Sequence, residues 1–272
     1  MTSGVLLFAH NNEQIDYVAQ ACFLAKRITK YLNLPTTLVT DDQRRVEEYY
    51  DYKVFDNIIV SDIQNKNKKT YHDGSLSKKI LDFKNFNRSD AYNISPYEKT
   101  LVMDTDYIIS NNLLANCFES SNKLMMYSNS MDISGWRDET EFKFISETSI
   151  KFYWATCVYF VKDPANLLFF NLIKHIQRNY QHYRNLYQIT STVFRNDYAF
   201  SIAAHITGHV KELPGKMIYS THKDILQKID ESAIKLLVEK QDRVGEYTLL
   251  KSNGINLHVM NKFSLNREVT HA

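Results

Sequence analysis

The sequence predicts an α/β protein whose mostly parallel central sheet is flanked by helices, and three observations carry that prediction. Short unbroken apolar runs at residues 5–9, 37–40 and 100–103 have the pattern of strands buried on both faces of a parallel sheet. Segments with helical spacing separate them, so that strand, helix and strand form a βαβ unit with a right-handed crossover. Two carboxylates, Asp104 and Asp106, follow the third run directly. Ligands of open parallel sheets bind at the carboxyl ends of strands.

The elements follow in order. After the polar residues 10–13, Tyr17, Ala21, Leu24, Ala25, Ile28 and Leu32 recur at helical spacing. Pro35 precedes the second strand, which ends on Asp41 and Asp42, and a third strand is expected at 57–60. Residues 63–77, polar and rich in Lys and Asn, read as a loop. Residues 77–93 are amphipathic enough for a helix that buries Ile80, Leu81, Phe83, Phe86 and Ala91. A turn at 96–99 leads into the strand before Asp104. Residues 128–149 carry few regular signals and are expected to form a loop over the cleft. Beyond them come a strand at 152–161, helices at 166–184 and 198–206, and a short strand at 216–219. A helix at 224–240 and a strand-like tail at 256–260 end the chain. No repeat, low-complexity tract or Pro-, Gly- or Ser-rich linker divides it.

The chain has 272 residues, of which 44% are hydrophobic and 24% charged, enough to bury a core and a deep cleft in one large domain or in one domain with a small appendage. Its 33 basic and 31 acidic residues leave a formal charge of +2, which neither demands nor excludes a nucleic-acid partner. Cys22, Cys117 and Cys157 are scattered without a CxxC pair, which argues against a disulfide framework and fits a reducing compartment. The first residues lack a basic segment and a cleavage pattern, and so read as a buried strand and not as a signal peptide. No apolar run approaches the ~18–20 residues of a membrane span. A cytoplasmic protein is expected.

Two carboxylates behind four apolar residues repel one another unless a cation or hydrogen-bond donors sit between them. A hard divalent ion, Mn2+ or Mg2+, takes such oxygens and keeps positions open for phosphate. The plainer alternative is a solvated strand end. Thr105 would point the opposite way if the strand runs through it. His10 and Asn11 either hold a ligand or cap the following helix. Arg88 suits phosphate because its donors form a fixed fork; with Asp90 its other role would be a surface ion pair. Asp197 opens a helix, where capping is the ordinary reading. Lys66, Lys68, Lys69, Lys78 and Lys79 are either a solvated loop or a landing site for a polyanion.

Arg88-Ser89-Asp90-Ala91-Tyr92, followed by Tyr97-Glu98-Lys99-Thr100-Leu101-Val102-Met103-Asp104-Thr105-Asp106, resembles the DxD segment of the GT-A glycosyltransferases. The run is similar to that of glycogenin-like and bacterial galactosyltransferase-like members, and the order of elements extends the likeness over most of the chain. The resemblance implies a GT-A, Rossmann-like fold in one domain, 1–272. Residues 1–120 would be the nucleotide-sugar-binding half and 121–272 the acceptor side, with a C-terminal tail closing the donor and metal site. It implies sugar transfer from a nucleotide-diphosphate sugar, UDP-linked by expectation, to an acceptor hydroxyl, with the cation on Asp104 and Asp106.

The same resemblance assigns roles residue by residue. Ala9, His10, Asn11 and Asp41 would hold base and ribose, Arg88 the donor phosphates, Asp90 the sugar hydroxyls, and Thr105 would lie against the donor. His258 would be the third metal ligand and Lys262 a phosphate contact, although the family's usual glycine between them is absent. Asp197, with Asn196, falls where many members carry an acidic residue near the sugar. It is the first candidate for a catalytic base, followed by Asp132 and Glu139. Trp154-Ala155-Thr156-Cys157 departs from the family's NxG strand, which leaves the sugar open. Enzymes of this kind without a membrane anchor occur in bacteria and large DNA phages, and the Lys-, Asn-, Ile- and Tyr-rich composition points to an AT-rich genome. The acceptors so implied are hydroxymethylated cytosine in phage DNA or a glycan, in the host cytoplasm if the protein is phage-encoded.

Two other readings compete. Haloacid-dehalogenase-like phosphatases also use DxD, with the first Asp (here Asp104) as nucleophile, but carry it on their first strand. A non-catalytic nucleotide-sugar binder would use the same donor groups as a transferase.

Overall fold

The computed structural model describes residues 2–41, 43–61, 67–84, 86–138, 141–147, 149–231 and 233–270, apart from the side chains of Arg45, Tyr49 and Phe86. Of the residues named above, Asp42, Lys66, Glu139 and the Phe86 side chain therefore lie outside the described part.

The first apolar run becomes β1 (Ser3–Phe8), and α1 (Tyr17–Leu32) buries Val18, Ala21, Leu24, Ala25, Ile28 and Leu32 against the sheet. Asp16 caps α1 by accepting from Ala19 N at 2.9 Å, a contact of about 1 kcal/mol. Asn33, at φ 53° in the left-handed region, ends the helix by donating its N–H to Ile28 O. β2 (Thr36–Thr40), α2 (Gln43–Tyr49) and β3 (Asn57–Val60) continue the pattern, with β2 parallel to both β1 and β3.

The next stretch differs from the sequence expectation. Residues 67–83 form a hairpin of β4 (Asn67–Asp73) and β5 (Ser77–Phe83), in place of a loop followed by a helix. Gly74, at φ 72°, permits the reversal. Alternation decided the outcome: Leu81 packs with Tyr71 and Ile15, while Ile80, which a helix would have buried, is exposed. Helical backbone is confined to a 3-10 turn at Phe86–Asp90 and the single turn α3 (Ala91–Ile94), so Arg88 sits on a turn and not on a long helix.

β6 (Lys99–Met103) lies parallel to β1 and ends at Asp104. Three residues separate it from β7 (Tyr107–Ile108), which joins a different sheet, so the acidic segment is a link between sheets and not a continuous strand. α4 (Asn116–Glu119), β8 (Leu124–Tyr127) and β9 (Ser130–Asp132) precede β10 (Trp154–Val161), which runs antiparallel between β6 and β8. The expected helix at 166–184 is divided at Asn179 into α5 (Pro164–Arg178) and α6 (Tyr180–Leu186). α7 (Asn196–Thr207), β11 (Lys211–Glu212) and β12 (Met217–Ser220) follow.

The helix expected at 224–240 is instead two strands of an antiparallel meander, β13 (Ile225–Ile229), β14 (Ala233–Lys240) and β15 (Arg243–Asn253). Ile234 and Leu236 are fully buried at alternate positions, the period of a strand. β16 (Leu257–Val259) and α8 (Lys262–Thr270) end the described chain.

The main sheet has the order β11-β8-β10-β6-β1-β2-β3, with only the two pairings of β10 antiparallel. α1 covers it in one part of the core, and α5 and α7 pack Phe169, Phe170 and Phe200 into the same core. A second sheet, β7-β16-β12-β9, carries the C-terminal strand next to the acidic link. No helix among the described residues is long and apolar enough to cross a membrane.

One buried acid makes stability depend on pH. Asp224 is enclosed at the start of β13; burial pushes its carboxyl up to about 6, against hydrogen bonds from Thr221. A folded-state value above the unfolded one means that its stabilisation is complete below about pH 4 and is lost as pH rises through 6. Asp224→Asn is therefore expected to raise the melting temperature at pH 8 and to leave it unchanged at pH 4. Melts at the two pH values check this, and an equal shift at both would contradict it.

Candidate active site

The carboxyl ends of β1 and β6 open into a cavity of roughly 540 Å³. Its centre is built by two register relations. Asp104 N donates to Thr156 O at 2.8 Å, which ties the end of β6 to β10. Val259 N donates to Asp106 O at 2.8 Å, and the β7–β16 pairing sets His258 opposite Tyr107, their rings stacked at 4.8 Å. A residue from the far end of the chain is thereby placed beside the acidic pair.

Asp104, Asp106 and His258 offer ligand atoms that all lie within 4.8 Å of one another. His258 Nε2 is 3.2 Å from Asp106 Oδ2, and Lys262 Nζ pairs with the same oxygen. Arg88 forks between Asp104 Oδ1 and the carbonyl of Ala155. The buried Nδ1 of His258 has no hydrogen-bond partner. The two carboxyls are driven apart. Burial raises that of Asp104, helped by the Asp106 charge and opposed by Arg88. Burial also acts on Asp106, but Lys262 and His258 outweigh it and hold Asp106 well below the usual carboxylate range. The Lys262 ammonium is raised because the Asp106 charge overcomes its burial.

Beyond this centre, Asp197 at the first turn of α7 accepts from Ala155 N at 3.0 Å and pairs with Arg195 at 2.8 Å. Both main-chain groups of Ala155 are thus engaged by charged residues of the cavity. Asn196 lines the cavity next to Asp197. Phe142 adopts φ 62°, uncommon for a bulky side chain, and stands 4.8 Å from Trp154, whose buried indole N–H has no partner.

At the opposite end, His10 lies 3.4 Å from Asp41 through Nδ1 and 3.1 Å from Asn87 through Nε2. Lys84 reaches Asp41 at 2.6 Å. Burial works against the Asp41 charge, but hydrogen bonds from His10 and Lys84 bring its carboxyl down to about 2. Ala9 is fully buried, and its N–H extends the sheet to Val39 O. Asn11 accepts from Val18 N and donates to Asp16, which is the helix-capping role.

The remaining expectations divide. Thr105 lines the cavity, 3.5 Å from Gln20 through its hydroxyl. Asp90 is turned away from the lining and pairs with Lys174 at 2.6 Å. The Asp132 carboxylate accepts from Ser134 and from Arg137 N, which ties down the segment 132–137. Lys84, Asn87, Phe142 and Arg195 are cavity residues to which sequence reasoning assigned no role. Only Arg195, two residues from Asp197, carried a local signal.

No protein-family model matches the chain, and no curated protein matches it by sequence. Among solved structures it is similar to the glycosyltransferase GlyE of Streptococcus pneumoniae, at 15% identity and a TM-score of 0.45, covering 78% of this chain and 45% of that one. It is similar to the galactosyltransferase LgtC, solved with donor and acceptor sugar analogues, at 13% identity and a TM-score of 0.49, over 77% and 72% of the chains. Mouse xyloside xylosyltransferase 1 is similar at 10% identity and a TM-score of 0.46, over 78% and 85%. The chain therefore spans less than half of the streptococcal protein and most of the other two. These three structures are of glycosyltransferases.

Proposed function

We propose that the protein is a glycosyltransferase that moves a sugar from a nucleotide-diphosphate sugar, UDP-linked, to an acceptor hydroxyl. A divalent cation, Mn2+ or Mg2+, would be held by Asp104, Asp106 and His258. One observation carries the reading: two carboxylates and an imidazole with an unpartnered buried nitrogen converge on a cavity at the ends of parallel strands, between two cationic side chains. Such a mixed oxygen and nitrogen donor set fits a divalent ion with open positions. When bound, the ion supplies Lewis-acid stabilisation of the leaving diphosphate.

The chain's own residues do the rest. Arg88 and Lys262, each now on a carboxylate, exchange that partner for diphosphate oxygens. His10 and Asn87 face the nucleoside, with Asp41 holding His10 and with Ala9 and Asn11 shaping the loop beneath it. Asp197, fixed by Arg195 and Ala155 N–H, orients the sugar hydroxyls, with Asn196 beside it. Phe142 and Trp154 give the acceptor a flat apolar wall. The buried free thiols of Cys22, Cys117 and Cys157 support a reducing cytoplasm.

Release of UDP from UDP-sugars, measured with Mn2+ and after chelation, tests the reading: release that depends on the metal is expected. Binding of UDP without release would make the protein a non-catalytic binder, and hydrolysis of a phosphomonoester would make it a phosphatase. Asp197→Asn is expected to leave the affinity for UDP and Mn2+ within twofold and to lower turnover by about 100-fold, the cost of a misplaced substrate. Undiminished turnover would remove Asp197 from the site. The two acceptors differ in salt response: affinity for DNA falls steeply with added salt, affinity for a neutral glycan almost not at all.

A further inference from the structure

We propose that the wall of the cavity formed by His72, His222 and Arg137 binds a phosphoryl group carried by the acceptor, an inference that rests on the transferase reading. The His72 and His222 rings lie 4.5 Å apart, tilted by 44°, where β4 meets the segment after β12. Both line the cavity, and neither ring has a hydrogen-bond or ion-pair partner among the described residues. Arg137 lines the same wall, its guanidinium over the Phe142 ring at 5.1 Å and its Nε 3.6 Å from Glu141. Lys223 stands behind, 3.8 Å above the Trp136 ring and 3.9 Å from Glu239. Glu239 is itself held by Ser75 Oγ at 2.5 Å and Gly245 N at 2.8 Å.

This wall is separate from the diphosphate position. The acids that line the cavity, Asp104, Asp106 and Asp197, are all paired with Arg88, Lys262 and Arg195 at its floor. The charges that act most strongly on His222 are those of His72, Arg137, Lys223 and Glu239, and none of them belongs to that floor. Burial, His72 and the two cations push His222 down to about 4, so the imidazole is neutral at pH 7 and an incoming anion would reverse the balance. Two imidazoles with unengaged ring nitrogens beside a forked guanidinium form a donor set for a tetrahedral anion. A metal ion, a UDP diphosphate and its two cationic partners need nothing from it.

The test uses the full chain saturated with UDP and Mn2+, so that the donor position is filled, and titrates inorganic phosphate. One phosphate is expected to bind and to move the His72 and His222 ring resonances. His222→Gln and Arg137→Gln are each expected to weaken it at least tenfold while UDP affinity stays within twofold. Phosphate that binds the variants as tightly as the parent, or fails to bind once UDP is present, overturns the proposal. A hexose 6-phosphate and a dinucleoside monophosphate, titrated the same way, tell a phosphorylated glycan from a nucleic-acid strand by which displaces phosphate at lower concentration. Displacement by neither also overturns it. Failure of UDP and Mn2+ to bind would count against the transferase reading alone, since phosphate binding is read separately.

Discussion

Asp106→Asn is expected to abolish metal-dependent turnover and to destabilise the fold, and the two effects separate cleanly. Asp106 is 2% exposed and accepts from both His258 and Lys262. An asparagine keeps the shape but not the charge, so a divalent ion loses one anionic ligand and the diphosphate loses several kcal/mol of stabilisation as it leaves. At about 1.4 kcal/mol per decade, turnover falls by roughly 1,000-fold or more. The same change strands Lys262 as a buried cation, which costs about 3 kcal/mol in folding. Adding Lys262→Met to Asp106→Asn removes that charge and is expected to restore most of the stability while leaving turnover absent. Urea unfolding and UDP release on the single and double variants distinguish the two. Recovery of turnover in the double variant, or normal turnover in the single one, would refute the assignment of Asp106 as a ligand.

Gly4→Val is expected to be the most damaging single change away from the site, at about 3 kcal/mol. Gly4 lies on β1, between β2 and β6, and a methyl group there would overlap the Tyr97 ring. Tyr97 cannot simply swing out, because it is buried and its hydroxyl lies 2.8 Å from Thr37 Oγ1 on β2. Overpacking of this kind costs about 1–3 kcal/mol, and loss of the Tyr97–Thr37 bond adds about 1 kcal/mol. The check is the urea midpoint at unchanged slope. In a cycle with Tyr97→Ala the two costs should be far from additive, because the second change removes the group that the first collides with. Additive costs would mean that the contact with Tyr97 is not the cause.

Two misread segments show where local pattern ran out. Residues 77–93 contain Ile80, Leu81, Phe83 and Ala91 at spacings that a helix accommodates, yet Asp73-Gly74 just upstream is a hairpin signal between two seven-residue arms. In 224–240 the alternation of Ile234, Leu236 and Val238 competed with a helical reading of the same apolar residues. Short apolar runs satisfy both periods, and the choice falls to whichever partner strand satisfies the backbone. β15 supplied that partner for β14.

What the sequence determined by itself was local. Residues 5–9, 37–40 and 100–103 supply buried parallel strands because their continuous apolar character suits burial on both faces, and Asp104 and Asp106 follow the last of them in the chain. The resemblance of 97–106 also singled out His258 and Lys262, but not what holds them there. Tertiary structure alone decided the partners: His258 and Lys262 reach Asp106 across 152 and 156 residues, and Asp197 reaches Ala155 across 42. The contact of His258 with Asp106 follows from sheet register, through Val259 N to Asp106 O, and register is a property of two strands together. The His72–His222 pair is of the same kind, since neither histidine has a neighbour in sequence that foretells the other.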